Sequence, residues 1–135
     1  MTISSPSGAR LLEAMLKFDD KGLIPAIIFD SKTREPLTLC YLDREALRKT
    51  LATGQVHVFR RSKGRIMLKG ETSGHTQRVV AIFPDCEGNS LAIQVEQKVA
   101  ACHAGYYTCY YRRYNPQTDQ LETVGEPVFD PEKVY

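Results

Sequence analysis

The sequence has no long apolar run free of charge, so no segment is suited to span a bilayer, and it lacks the charged-then-apolar start of an export signal. An internal repeat and low-complexity stretches are also missing, which excludes a solenoid or a linker-like chain. No excess of one charge is present. The formal net charge is +2, with basic residues spread from Arg10 to Lys133, so composition announces no polyanion such as a nucleic acid and leaves small anionic ligands open. What remains is ordinary globular material, 42% hydrophobic and 25% charged, and 135 residues suffice to bury one core without disulfides. The expectation is a cytoplasmic protein with no membrane association and a single domain over residues 1–135. Cys40, Cys86, Cys102 and Cys109 should then stay reduced, and metal binding outranks disulfide pairing for them.

Periodicity predicts two short helices and a larger set of strands. Ser5-Pro6 is a helix start followed by the apolar stripe Leu11, Leu12, Met15 and Leu16. Leu23 to Phe29 and Leu37 to Tyr41 are β-rich runs flanking a polar stretch, as in a hairpin with a long loop. Asp43 is placed to cap a second helix, Arg44 to Ala52, which Gly54 ends. Further strands are expected at Val56 to Arg60, Arg65 to Leu68, Gln77 to Phe83, Leu91 to Gln97 and Tyr106 to Arg112. From about residue 114 the chain carries turn and breaker residues and reads as an extended tail that packs on a neighbour. Consecutive strands joined by hairpins, with two early helices, define a β-rich α+β fold with mostly antiparallel strands.

The chemistry lies in the loops. Cys102 and Cys109 flank a His-Ala-Gly turn able to bring two thiolates together, and Cys86 offers a third from another loop. Three protein ligands with one open position make a catalytic zinc site, whereas three unrelated buried cysteines are the plainer reading. Cys40, inside an apolar run, is assigned to the core. If the segment around Cys86 is extended, Asp85, Glu87 and Asn89 share one face and suit a hard cation such as Mg²⁺, but Pro-Asp-Cys-Glu-Gly-Asn is equally ordinary turn chemistry. The loop Lys69-Gly-Glu-Thr-Ser-Gly-His75 combines free amides with the Thr72 and Ser73 hydroxyls. With Lys69 and Arg61 it could hold a phosphate or ribose, or it is a polar surface loop without the Walker spacing. His57 reads as a half-buried polar residue. His103, beside a candidate ligand, could carry protons.

Gly22-Leu-Ile-Pro-Ala26, Tyr41-Leu-Asp-Arg-Glu-Ala-Leu47, Thr53-Gly54, Arg61-Ser62, Lys69-Gly-Glu-Thr-Ser-Gly74, Gln77-Arg-Val79, Asp85-Cys86, Ala101-Cys-His103 and Thr108-Cys109 follow in the order and spacing of one family. The chain from about Phe18 to Arg112 resembles phosphoribosyl-AMP cyclohydrolase. That resemblance implies an interlocked homodimer with shared active sites, and one zinc per subunit held by Cys86, Cys102 and Cys109 drawn from both chains. It further implies Mg²⁺ at Asp85, Glu87 and Asn89, His103 as the proton carrier, and a nucleotide held by Arg61, Lys69, Glu71, Thr72, Ser73 and Gly74. The implied reaction is hydrolysis of the N1–C6 bond of the adenine ring in histidine biosynthesis, without a fused phosphohydrolase segment.

The chain also departs from the family's pattern. A run of three aspartates is replaced by Asp85, Glu87 and Asn89, which should weaken Mg²⁺ binding. A frequent Trp is Met67, a Ser is Arg60, and Tyr106 and Tyr107 occupy the cysteine turn. Two alternatives follow, namely a paralogue acting on another purine-like nucleotide and a non-catalytic zinc- and nucleotide-binding protein. Nucleic-acid binding through the basic hairpin ranks below both, and the zinc deaminases are excluded because Pro84-Asp-Cys86 lacks their second cysteine.

Overall fold

The computed structural model describes residues 6–135, with side chains from residue 10 onward. Helix α1 spans Pro6–Met15, as predicted, and Ser5, its expected start, lies outside the described residues. The apolar stripe divides into two adjacent rows, the residues of each row one turn apart. Leu12 and Leu16 pack on the core, whereas Leu11 and Met15 face outward.

Strands β1 (Ile24–Asp30) and β2 (Pro36–Leu42) form the expected antiparallel hairpin. Burial in β1 alternates strictly, so that Ile24, Ala26, Ile28 and Asp30 turn inward. Helix α2 (Arg44–Thr53) starts where Asp43 accepts from the Ala46 N–H at 2.7 Å, and ends at Gly54, whose φ of 73° is the left-handed cap. Thr50, buried in this helix, donates to Ala46 O and accepts from the His57 N–H at 2.9 Å, coupling α2 to the next strand. His57 is half-buried with its Nδ1 on Gln55 O, the structural role expected for it.

Strands β3 (His57–Arg60) and β4 (Arg65–Leu68) make a separate hairpin. Strands β5 (Gln77–Pro84) and β6 (Leu91–Gln97) make another, which joins the first to give a four-stranded sheet of order β2-β1-β6-β5. The β1–β6 pair is parallel and the other two are antiparallel, so the sheet is mixed within a β-rich α+β fold. Leu91, Ile93 and Val95 of β6 meet the inward residues of β1, and Ala46, Leu47 and Leu51 of α2 close the same core.

The strand expected at Tyr106 to Arg112 does not form, and only Arg112 enters β7 (Arg112–Asn115). The backbone groups of this segment are engaged elsewhere. Ala101 N–H donates to Tyr107 O, Cys102 N–H to Tyr106 O, and Cys109 N–H to Leu37 O at the start of β2. The tyrosines that suggested a strand pack instead, Tyr106 stacking on Tyr111 at 3.9 Å. Nor is the region after residue 114 simply extended. β7 pairs with β8 (Gln120–Thr123), and a short 3₁₀ turn forms at Pro131–Lys133.

Tyr107 ties the cysteine turn to the sheet. Its hydroxyl donates to Asp30 Oδ2 and lies 2.7 Å from Thr33 Oγ1, while Asp30 Oδ1 accepts from Lys32 N–H at 2.8 Å. Burial and the neighbouring Asp30 carboxylate push the phenol up to about 12, from an ordinary 10. Below pH 10 the proton is bound in both folded and unfolded chains and this contribution is complete; between 10 and 12 the unfolded chain releases it first, so stability falls as pH rises. Tyr107→Phe, which leaves the buried Asp30 short of a donor, is expected to cost about 1–3 kcal/mol in urea unfolding at pH 7. The same variant should lose the Tyr107 share of the alkaline slope, and an unchanged slope would refute the assignment.

Candidate functional site

The turn from Ala101 to Cys109 is held by backbone hydrogen bonds at its base and by Thr108 Oγ1 donating to Pro36 O at 2.7 Å. Cys102 and Cys109 meet there, close enough for the Cys102 side chain to hydrogen-bond Cys109 and raise its thiol. Cys102 is buried, and its Sγ accepts from the Ala104 N–H at 3.4 Å, an amide aimed at the sulfur. Burial raises the Cys109 thiol most. The Thr38 hydroxyl opposes that, Cys102 adds to it, and the Lys69 ammonium lowers it. Two adjacent soft donors, one already served by an amide, fit a thiophilic divalent ion such as zinc.

The third expected ligand is placed elsewhere. Cys86 is exposed on the β5–β6 turn, and among the described residues no three His, Cys, Asp or Glu side chains gather into a cation cage. That turn is not extended, so Asp85, Glu87 and Asn89 do not line up on one strand face. Asp85 Oδ1 accepts from the Glu87 and Asn89 N–H groups, and Oδ2 accepts from the Ser90 hydroxyl at 2.8 Å. The Ser90 hydroxyl and then the Asn89 amide hold the Asp85 carboxyl below its ordinary value. Turn chemistry thus accounts for the segment, and this carboxylate is already occupied by its own loop. Cys40 is half-buried against the core with its thiol toward Ala26 O, and burial pushes that thiol up to about 12. It stays protonated, in keeping with a core role.

Two hollows flank the cysteine turn. The first, about 410 Å³, is bounded by Arg60, Lys63, the Lys69–Ser73 loop and His103. The second, about 380 Å³, reaches Cys109 and is lined also by Cys40, Tyr41 and Arg61. Lys69 and His103 line both, standing between the loop and the thiols. Of the residues expected to hold substrate, Lys69, Glu71, Thr72 and Ser73 border the first hollow. Arg61 borders the second, its guanidinium 4.0 Å from the Tyr41 ring centroid, and Gly74 lies at the end of the loop. Arg60 and Lys63 form no ion pair among the described residues, so their charge faces solvent and the hollow.

Two contributions were not anticipated from sequence, the Thr38 hydroxyl at Cys109 and Lys69 as a cation for the thiols. Lys69 Nζ donates to Ala101 O at 3.4 Å, which draws it toward the cysteine turn. Hydroxyls and lysines are too common for spacing to have marked either one.

A family model for phosphoribosyl-AMP cyclohydrolase matches residues 38–111, a span that holds the loop, the Cys86 turn and both paired thiols. The phosphoribosyl-AMP cyclohydrolase of Methanoregula boonei is 51% identical over 120 residues, covering 89% of this chain and 94% of the relative. The chain belongs to the phosphoribosyl-AMP cyclohydrolase family. Members of this family are hydrolases acting on carbon–nitrogen bonds in cyclic amidines. The phosphoribosyl-AMP cyclohydrolase of Pelotomaculum thermopropionicum is 47% identical, over 89% of this chain and 92% of its own length. The histidine biosynthesis bifunctional protein HisIE of Thermoanaerobacter pseudethanolicus is 49% identical over 89% of this chain, which spans 55% of that longer protein. No described helix is long and apolar enough to cross a membrane.

Within this cyclohydrolase fold Glu71 has a local task. Its carboxylate accepts from the Leu68 N–H at 3.2 Å and from Arg65 at 3.4 Å, which shapes the loop. Glu71→Ala is therefore expected to weaken AMP binding by up to about fivefold, roughly 1 kcal/mol of lost loop order. Glu71→Gln keeps the acceptor for Leu68 and should stay near wild type in a calorimetric titration. Equal losses in the two variants would assign the charge itself to the ligand.

Proposed function

We propose that this chain is a zinc-dependent phosphoribosyl-AMP cyclohydrolase of histidine biosynthesis, opening the adenine ring by hydrolysis of its N1–C6 bond. The observation that carries this reading is the sharing of His103 and Lys69 between the two hollows. It puts a cationic, hydroxyl-bearing hollow next to a pair of thiols.

In this reading Arg60, Lys63 and the Lys69–Ser73 loop bind and orient the phosphates of the nucleotide. Thr72, whose hydroxyl makes no hydrogen bond among the described residues, and Ser73 donate to phosphate oxygens. Cys102 and Cys109 hold zinc from one protomer, and Cys86 of a second copy completes three protein ligands in a homodimer with shared sites. When bound, such an ion supplies Lewis acidity that makes water a competent nucleophile near neutral pH. His103 takes the proton that water loses on adding to C6 and returns it to N1 as the N1–C6 bond breaks. Lys69, between the loop and the turn, keeps the thiol region electropositive. Magnesium fits less well at Asp85, Glu87 and Asn89, because the Asp85 carboxylate already satisfies its own turn, and no role in the reaction is assigned to it here.

Zinc-loaded protein is expected to change the ultraviolet spectrum of phosphoribosyl-AMP as the purine opens, and Cys102→Ser is expected to lose both zinc and turnover. His103→Ala should keep its zinc and lose about 10²- to 10⁴-fold in kcat. No spectral change with zinc-loaded wild type would sink the reading, and normal turnover in His103→Ala would remove the proton carrier. Subunit sharing has its own test. Cys86→Ser and Cys102→Ser proteins, each inactive alone, are refolded together in equal amounts. Random pairing gives heterodimers one intact site, so activity should return to about a quarter of wild type. A mixture as inactive as its parents would place all three ligands in one chain.

A further inference from the structure

The chain after β8 returns to the site. Val128 N–H donates to Gly105 O at 2.7 Å, in the middle of the cysteine turn. Gly105 has a φ of 101°, and a Cβ on it would stand 2.8 Å from the Phe129 carbonyl oxygen, so the two segments touch backbone to backbone. Phe129 is half-buried and meets the His75 ring edge-on at 4.7 Å, next to the Lys69–Gly74 loop. One short segment is thereby fastened to both structures that form the site.

Beyond this anchor Asp130 accepts from the Glu132 N–H at 3.0 Å and starts the 3₁₀ turn, and Tyr135 N–H donates back to Pro131 O at 2.9 Å. The turn sets the Tyr135 ring 6.3 Å from Phe129 and edge-on to His103 at 6.5 Å. Pro131 and Tyr135 complete the wall of the 410 Å³ hollow. Tyr135 remains 57% exposed, so much of its surface is available to a ligand.

We propose that residues 126–135 form the wall on which the nucleotide's base rests, and that Tyr135 binds the base by stacking. The proposal builds on the hydrolase reading above and adds the recognition of the base to it. Phosphates find cations and hydroxyls at the lip of the hollow, but a purine needs a flat apolar face. Among the described residues lining the hollow, only His103 and Tyr135 carry aromatic rings, and the reading above commits His103 to the proton. Base–aromatic stacking tolerates any purine and contributes mainly to binding. Tyr135 therefore acts on affinity and leaves the chemical step to other groups.

The test is steady-state kinetics on zinc-loaded full-length wild type, Tyr135→Ala and Tyr135→Phe with phosphoribosyl-AMP, with zinc content measured for each. Tyr135→Ala is expected to raise KM about tenfold, the scale of one lost base–aromatic stack, with kcat within about threefold and zinc unchanged. Tyr135→Phe, which keeps the ring, should restore KM. An unchanged KM in Tyr135→Ala, or a fall in kcat accompanied by zinc loss, overturns the proposal while leaving the hydrolase reading in place. If wild type does not turn over phosphoribosyl-AMP, the hydrolase reading falls and the wall is judged on AMP affinity alone. A tenfold weaker titration for Tyr135→Ala then supports it, and equal affinities, or no binding by wild type, overturn it.

Discussion

The attachment of the cysteine turn to the end of β1 is the constraint on which the site depends. Asp30 is a buried carboxylate at the last position of a central strand, and a charge there requires donors. The Lys32 amide supplies one and the Tyr107 phenol supplies the other, from a segment far away in the chain. Once Tyr107 is committed, Thr108 reaches the Pro36 carbonyl and Cys109 the Leu37 carbonyl, and the rest of the turn follows. Cys109 is thus positioned by β2 and Cys102 by the turn's own hydrogen bonds. Their meeting follows from the geometry of the sheet and the turn.

Electrostatics and shape then cooperate. The β3–β4 hairpin contributes Arg60 and Lys63, the loop after it contributes Lys69 and two hydroxyls, and the cysteine turn contributes His103. Three structural units from different parts of the chain converge on one hollow. Lys69 serves two of them, since the ammonium that faces the loop also lowers the Cys109 thiol. In the proposed reading, the cation offered to a phosphate and the cation that favours the Cys109 thiolate are the same group.

Much of the local structure was legible because single residues announce it. Asp43 and Gly54 bracket α2 as capping chemistry demands, and β-rich runs mark β1 and β2. The segment from Tyr106 to Tyr111 misled because aromatic and β-branched residues suit any packed surface, and here Tyr106 stacks on Tyr111 while the segment's carbonyls and the Cys109 amide bond to the turn and to β2. The parallel β1–β6 pair carried no local signal, because pairing partners far apart leave no trace in either strand. Cys102, Cys109 and His103 could be picked out as a group. Their relation to Lys69 and Thr38 could not, since it arises only when β2 and the loop after β4 pack against the turn. The placement of residues 126–135 was illegible for the same reason.

The same parallel pairing has a kinetic meaning. Ala26 lies opposite Leu91, so the two hairpins β1–β2 and β5–β6 must find each other across a helix and another hairpin before the sheet exists. Each hairpin is a local contact that closes quickly, whereas their union closes a long loop and sets the pace of folding. The cysteine turn comes after β6 in the chain and docks on a β1–β2 hairpin that has long been available. During synthesis Cys102 and Cys109 emerge after all four strands of the sheet, onto a β1–β2 surface already prepared for them.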